Sequence, residues 1–429
     1  MAERESAVGT NIDTSNQKIA KGGCDYCRVC GSTELFPGMH LGRLPIANEL
    51  ATRIESNTDL FDLTLKVCSK CGLGQVGEEI PPERLFADYR YMSSVSSTFV
   101  KHANNFVDDI LPGLNKDNGD WVLEIASNDG YLLQFLRDRA IPVLGIEPAA
   151  NIAAIANSKG IPTLNEFFSS TLAQNILDER GFPRFIIANN VLAHVPDIND
   201  FVKGISILTG PNTSISIENP SILNILVEGQ FDTIYHEHFS YLSVNSMKTI
   251  AHLRGLLLTN VEEIPIHGGS NRYWLNRPGT VAASAKVQFL SDLEVEKGLF
   301  SLERWSDAQQ KMENTILEFR KLLSATSKAG GVFCGYGAAA KCSTVLNMAN
   351  VKEGELVSIA DESDEKQGRY LPSINIPIES PQDMFERNPT DIVIFPWNIE
   401  TEIKEKILSS SHNTRPNMWK LVPTLVKIT

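Results

Sequence analysis

Trp121-Val-Leu-Glu-Ile-Ala-Ser-Asn-Asp-Gly-Tyr-Leu-Leu-Gln-Phe135 decides how the rest of the chain is read. Trp121 to Ile125 is an apolar strand interrupted only by Glu124. It runs into the polar turn Ala126-Ser-Asn-Asp-Gly130, and a helical pattern follows with Leu132, Leu133 and Leu136 on one face. A turn between a parallel strand and a helix sets its ligand at the carboxyl end of the sheet, beside the helix N-terminus. Glu124 before the turn and Glu147, ending the next apolar strand Val143-Leu-Gly-Ile-Glu147, fit that picture. The second acid stands about 20 residues on, where parallel nucleotide-binding folds set a carboxylate against ribose hydroxyls.

Working outward, Ile161–Asn165 and Phe185–Leu192 read as further buried parallel strands, and Ser214–Glu218 as a fifth, alternating strand stopped by Pro220. Asn189 lies near the end of the second and His194 just beyond it, at the carboxyl edge where ligands bind. Leu256–Val261 and Asn271–Leu275 read as two further strands that can close the sheet as a pair.

The composition bounds the function. At 429 residues the chain exceeds one ordinary core, so two or three domains are expected. The 39 basic and 52 acidic residues leave a formal charge of −13, which argues against nucleic acid or an anionic membrane surface as partner. No apolar run approaches the ~20 residues of a bilayer span. Residues 1–23 are polar and read as a disordered lead-in without a secretory h-region. A cytoplasmic protein is expected, monomer or homodimer.

Five of the seven cysteines fall in the first 71 residues. Cys27-Arg-Val-Cys30 and Cys68-Ser-Lys-Cys71 are paired C-x-x-C knuckles, each followed by glycine. Four thiolates so arranged suit a closed tetrahedral zinc site, whereas disulfides are disfavoured in a reducing compartment. Cys24 is a spare that replaces Cys27 if the register differs. Leu44-Pro-Ile-Ala-Asn-Glu49 sits between the knuckles; after them, Leu85 to Ser97 crowds two tyrosines and four serines before a helix.

Asp232-Thr-Ile-Tyr-His-Glu-His-Phe-Ser-Tyr241 carries two of the eight histidines. His236 and His238 share one face of an extended segment and Glu237 the other. That spacing is not a zinc-protease helix, and a metal here needs a third ligand from afar. His267-Gly-Gly-Ser-Asn-Arg272 is a donor-rich loop suited to phosphate, or a hairpin turn. Ala282 to Ser327 reads as a long charged helix, best marked from Leu293 to Arg320 and entered through a Ser291-x-x-Glu294 capping box. Gly335-Tyr-Gly-Ala-Ala-Ala-Lys341 then fits G-x-G-x-x-A, with Asp361 closing the strand Leu356–Ala360. The strands Asp391–Phe395 and Trp419–Val422 complete a Rossmann-like lobe. That fingerprint supports an alternative: a nicotinamide-dependent oxidoreductase acting on nucleotide sugars.

Glu124-Ile-Ala-Ser-Asn-Asp-Gly130 resembles the donor motif of class I S-adenosylmethionine methyltransferases, in the spelling of those that C-methylate nucleotide-linked keto-deoxysugars. Ala126 departs from the usual glycine, which the turn accommodates if the backbone there is not left-handed. The knuckles, Tyr/Ser segment, Tyr-x-Glu-His string and Gly-Tyr-Gly-Ala-Ala-Ala-Lys occur in that family and span the chain from Cys27 onward.

The resemblance implies an α/β fold: a zinc module at 24–80, a seven-stranded methyltransferase core at 81–278, and a Rossmann-like domain at 279–429 that helps hold the sugar nucleotide. It implies a donor site at Glu124, Ala126, Ser127, Asn128, Gly130, Glu147 and Asn189. Structural zinc falls on Cys27, Cys30, Cys68 and Cys71. Ser96, His267, Ser270, Arg272, Tyr336 and Lys341 are the substrate-binding residues. Cys342 departs from the small residue expected after the lysine. The implied partner is a dTDP- or GDP-linked keto-deoxysugar. Making a C–C bond to the donor methyl requires removal of the proton α to the ketone. Histidine is the usual base, and hydroxyls or a second histidine stabilise the oxyanion. His238 is the expected base, Glu237 orients it or the substrate, and Tyr235, Tyr89 and His194 contact the enolate and sugar.

Overall fold

The computed structural model describes residues 25–54, 57–77, 80–81, 84–85, 92–409 and 415–428. Cys24, Tyr89 and Tyr91 lie outside the described residues. Three antiparallel strands open the fold: β1 (Leu35–Leu44), β2 (Phe61–Cys68) and β3 (Gly74–Val76). Alternation along β2 buries Leu63, Leu65 and Val67. The knuckles flank this sheet, Cys27 and Cys30 ahead of β1, Cys68 and Cys71 at the β2–β3 turn.

Helix α1 (Ser97–Ile110) follows, burying Phe99, Ala103, Phe106, Val107 and Ile110 as one stripe. Then β and α alternate: β4 (Val122–Ile125), α2 (Leu133–Asp138), β5 (Val143–Ile146), α3 (Ala150–Ser158), β6 (Thr163–Leu164), α4 (Ser170–Arg180), β7 (Phe185–Asn189), α5 (Ile198–Ile207) and β8 (Ser214–Pro220). After α6 (Ile222–Glu228) the chain makes a detour. The strand β9 (Ser240–Tyr241) pairs with β3, as the fourth strand of the first sheet. Helix α7 (Val244–Leu253) leads back to the hairpin β10 (Leu257–Ile264) and β11 (Ser270–Asn276). The central sheet runs β10-β11-β8-β7-β4-β5-β6, with β11 antiparallel to both neighbours, so the expected closing pair is in place. Its strands are buried on both faces, which is why they read as continuous apolar runs.

The expected single helix divides into α8 (Ala285–Glu296) and α9 (Leu302–Lys328). Gly298, at φ 84, ends the first, and the Ser301 side chain caps the second by accepting from Arg304 N. Ser291 and Glu294 form no capping box. Ser291 sits inside α8, and the Glu294 carboxylate accepts from Val244 N (2.6 Å) and Asn245 N (3.0 Å), capping α7 instead. Its burial pushes the Glu294 pKa up to about 7.

The last sheet comprises β12 (Phe333–Tyr336), followed by α10 (Ala340–Met348), β13 (Ile359–Ala360), β14 (Ile378–Glu379), α11 (Pro381–Glu386), β15 (Asp391–Ile394), α12 (Glu400–Ser409), β16 (Asn417–Lys420) and β17 (Val426–Lys427). Its order is β14-β13-β12-β15-β16-β17, parallel except for β17. Among the described residues no helix is long and apolar enough to cross a membrane.

Candidate active site

The turn after β4 holds a surprise. Ala126 has φ 57 and Asn128 φ 50, so the alanine is left-handed and the condition under which its methyl costs nothing is not met. An alanine there costs on the order of 1–2 kcal/mol. Ser127 N donates to Ile146 O, which ties the turn to β5. Gly145 has no side chain because a Cβ there would meet Ser127 Oγ at 2.3 Å. Glu147 accepts from Asn128 N (3.1 Å) and Ala149 N (2.9 Å), and burial raises its carboxyl pKa. Glu124 is almost fully buried; desolvation first, and then Asp129, Glu147 and Glu218, raises its pKa well above the ordinary range. Glu124 Oε2, Ser127 Oγ, Asn189 Oδ1 and Asn190 Oδ1 are buried here without a hydrogen-bond partner among the described residues. Unmatched acceptors at the carboxyl edge suit a ligand rich in hydroxyl and amino donors, as the adenosyl and amino-acid ends of S-adenosylmethionine are.

The four knuckle sulfurs lie within 4.8 Å of one another, Cys27 and Cys71 at 3.5 Å, Cys30 and Cys68 at 3.6 Å. A tetrahedron of zinc–sulfur bonds has edges of about 3.8 Å. The Cys68 sulfur beside it, and burial after that, push Cys27 up to about 12, because such close sulfurs cannot all ionise without a cation. Cys27, Cys68 and Cys71 are buried, as a closed structural site requires.

A compact aromatic cluster joins His194, Tyr235, His238 and Tyr241. The His238 Nδ1 faces Thr233 O at 3.3 Å and its Nε2 faces the Tyr235 hydroxyl at 2.9 Å. A carbonyl only accepts, so Nδ1 carries the proton and Nε2 presents its lone pair, taking the Tyr235 O–H. Burial holds His238 well below the ordinary histidine value, and repulsion from Lys341, and from His194 and His267 whenever they take up a proton, acts in the same direction. His194 donates from Nδ1 to Glu237 O at 2.7 Å, and its ring stands edge-on to His238 at 4.6 Å. Glu237 is buried with Oε1 accepting from Asn48 N (3.0 Å) and Nδ2 (2.9 Å), while Oε2 has no partner among the described residues. Desolvation raises its pKa.

The structure thus brings His238, Tyr235, Glu237 and His194 together and sets His267 and Lys341 within electrostatic reach. The other expected substrate residues are committed elsewhere. Ser96 caps α1 through Phe99 N, Ser270 donates to Ile266 O, and Tyr336 donates to Glu362 at 2.6 Å. Arg272 is buried in a network with Glu218 (2.7 Å) and Glu262 (3.1 Å), and His102 bonds the other Glu218 oxygen at 2.9 Å. The Arg272 guanidinium therefore holds Glu218 in place. Cys342 is fully buried in an apolar core that the third lobe shares with the first sheet. Sequence reasoning missed Asn48, His102, Thr233 and Asp232. The Asp232 Oδ2 accepts from Trp397 Nε1 at 2.7 Å, and Lys341 lies 4.1 Å over the same indole.

In the G-x-G-x-x-A loop Gly337 has φ 90, and a Cβ there would meet Pro396 at 2.3 Å. Asp361 turns back to accept from Ala338 N (2.8 Å) and Ser363 N (2.9 Å).

A class I methyltransferase sheet with a four-cysteine zinc module is the class this arrangement defines. Family models agree: a zinc binding domain matches residues 27–86, a methyltransferase domain 99–261 and a C-methyltransferase C-terminal domain 265–415. The chain is 31% identical to the C-methyltransferase NovU of Streptomyces niveus over 386 residues, covering 88% of this chain and 91% of that protein. The chain belongs to this family of zinc-binding, S-adenosylmethionine-dependent C-methyltransferases. Solved structures that resemble it include magnesium protoporphyrin IX methyltransferase of Synechocystis with bound S-adenosylmethionine, at 13% identity, TM-score 0.32, over 46% of this chain and 88% of that one. A methyltransferase of Anabaena variabilis gives 12% identity and a TM-score of 0.35 over 46% and 91%.

Proposed function

We propose that this C-methyltransferase acts on a nucleotide-diphospho 4-keto-deoxysugar, at the carbon α to the ketone. The observation that carries the reading is the neutral, buried His238 with its Nε2 lone pair directed to the Tyr235 hydroxyl. With substrate bound, Nε2 takes the α-proton and the C–H electron pair moves into the enolate. The Tyr235 hydroxyl, at His238, can turn its O–H to the enolate oxygen once the imidazole is protonated and offset its charge, while His194, whose Nδ1 proton goes to Glu237 O, packs against the His238 ring and contacts the sugar. The enolate carbon attacks the donor's methyl; the new C–C bond forms as the C–S bond breaks, leaving S-adenosylhomocysteine. The two carboxylates Glu124 and Glu147 are the ribose-facing candidates of the donor site, with Ala126, Ser127, Asn128, Gly130 and Asn189 around them. Lys341 and His267, within electrostatic reach of His238, are the candidate contacts for the anionic diphosphate of the sugar.

The alternative, an NAD(P)-dependent nucleotide-sugar oxidoreductase using the G-x-G-x-x-A loop, has less support: the acid that would meet a ribose there, Asp361, accepts from Ala338 N and Ser363 N. Incubation with S-adenosylmethionine and a panel of dTDP- and GDP-4-keto-deoxysugars, read by mass spectrometry, tests the assignment. A one-methyl gain on one sugar supports it. Hydride transfer with NAD and no methyl gain on any panel member overturns it.

A further inference from the structure

The segment bearing the proposed base is held from outside the methyltransferase core. Ser240 and Tyr241 pair with Gln75 and Gly74 as the fourth strand of the zinc module's sheet, and Val76 N donates to Phe239 O at 3.2 Å. Arg28 lies inside the first knuckle, between Cys27 and Cys30, and is 8% exposed. Its Nη1 donates to the same Phe239 carbonyl at 2.7 Å, and its guanidinium sits 5.8 Å from the Phe239 ring centroid. Gln75 locks Arg28 in turn: its Oε1 accepts from Arg28 N at 2.9 Å, and its Nε2 donates to Tyr26 O at 2.9 Å. Asn48, in the loop between β1 and β2, donates twice to the Glu237 carboxylate, from its backbone N and from Nδ2. Contacts from Arg28, Asn48, Gln75 and Val76, all of one module, thus fall on the consecutive stretch Glu237–Ser240, bracketing His238.

We propose that Arg28 and Asn48 are positioning residues through which the zinc module sets the geometry of Glu237 and His238. The inference rests on His238 being the base. The four thiolates fix the knuckle, the knuckle fixes Arg28, and Arg28 fixes the Phe239 carbonyl one residue past the imidazole. Small displacements at such a point are costly, since about 1 Å of misplacement can cost on the order of a hundredfold in rate. The module's metal takes no chemical step; its effect on rate is transmitted through the backbone it orders.

The test compares Arg28→Met, Arg28→Lys and Asn48→Ala with wild type in the full-length zinc-loaded chain. Zinc per chain is counted by elemental analysis, S-adenosylhomocysteine affinity by calorimetry, and base function by exchange of the sugar α-proton in heavy water. Wild-type exchange, measured alone, tests the assignment of base chemistry itself. Arg28→Met is expected to keep zinc and product affinity while exchange falls about tenfold or more. The conservative Arg28→Lys, still able to donate to Phe239 O, recovers part of that loss. Asn48→Ala removes the side-chain donor that lowers the Glu237 pKa, so the carboxyl-dependent limb of its pH–exchange profile moves to higher pH. Unchanged exchange and pH profile in Arg28→Met and Asn48→Ala overturn the proposal. So does loss of zinc or of product affinity in step with exchange, which makes the contacts merely structural.

Discussion

His238 is a titratable ring buried where protonation is penalised, and its two nitrogens have been given opposite tasks by their neighbours. His238→Asn keeps much of the ring's shape without its basicity, so methyl transfer and α-proton exchange should both fall by about 10²–10⁴-fold. Calorimetry should find S-adenosylhomocysteine affinity unchanged; a variant with full turnover would show that another group removes the proton. His194, His238 and His267 all have lowered pKa values, His267 at about 4. Above about pH 6.5 they are neutral in both folded and unfolded chains and contribute no pH dependence. Below it the unfolded chain takes up protons that the folded chain refuses, so their contribution destabilises the fold as pH falls. The urea midpoint of His238→Asn should therefore vary less steeply than wild type between about pH 5 and 6.5. Ala126 makes the opposite kind of statement, strain kept at a donor turn. Relief of about 1–2 kcal/mol on Ala126→Gly, less the ~0.4–1 kcal/mol entropy of an added glycine, gives a net gain of about 0.5–1 kcal/mol in denaturant unfolding.

At the scale of elements, what could be read from the sequence was what is written locally. The strand–turn–helix at Trp121–Phe135, the knuckles and the Tyr-His-Glu-His string each state their chemistry within a few consecutive residues. The broken helix was less legible, because a single left-handed Gly298 and a Ser301 cap decide it against a continuous charged pattern. The Ser291-x-x-Glu294 string carried a real capping carboxylate but hid its target, α7, some 50 residues earlier in the chain. Glu294→Ala leaves two backbone N–H groups at that helix start without their acceptor. Thermal or urea unfolding should register a loss of about 1–2 kcal/mol. A change within a few tenths would mean that α7 does not depend on this cap.

The long-range joins set the organisation of the whole molecule, and no single stretch of sequence displays them. Asn48 meets Glu237 across 189 residues, Arg28 meets Phe239 across 211, and Trp397 meets Asp232 across 165. Leu44–Glu49 drew notice between the knuckles, yet nothing local says that its asparagine holds a carboxylate in another domain. The same holds for Arg272, whose donor-rich loop reads as a phosphate site but whose guanidinium is spent on Glu218 and Glu262. Because the zinc module's sheet incorporates β9, chelating the metal is expected to lower the thermal midpoint of the whole chain and to release one zinc per four cysteine ligands. An unshifted midpoint after complete metal removal would detach the module from the fold's stability.

The most direct measurement is exchange of the sugar's α-proton in heavy water, with S-adenosylhomocysteine filling the donor site so that methylation cannot occur. Wild-type enzyme is expected to incorporate deuterium at the carbon next to the ketone, and His238→Asn to fall by about 10²-fold or more. No incorporation by wild type on any sugar it methylates, or equal incorporation by His238→Asn, would contradict enolate formation by this buried histidine.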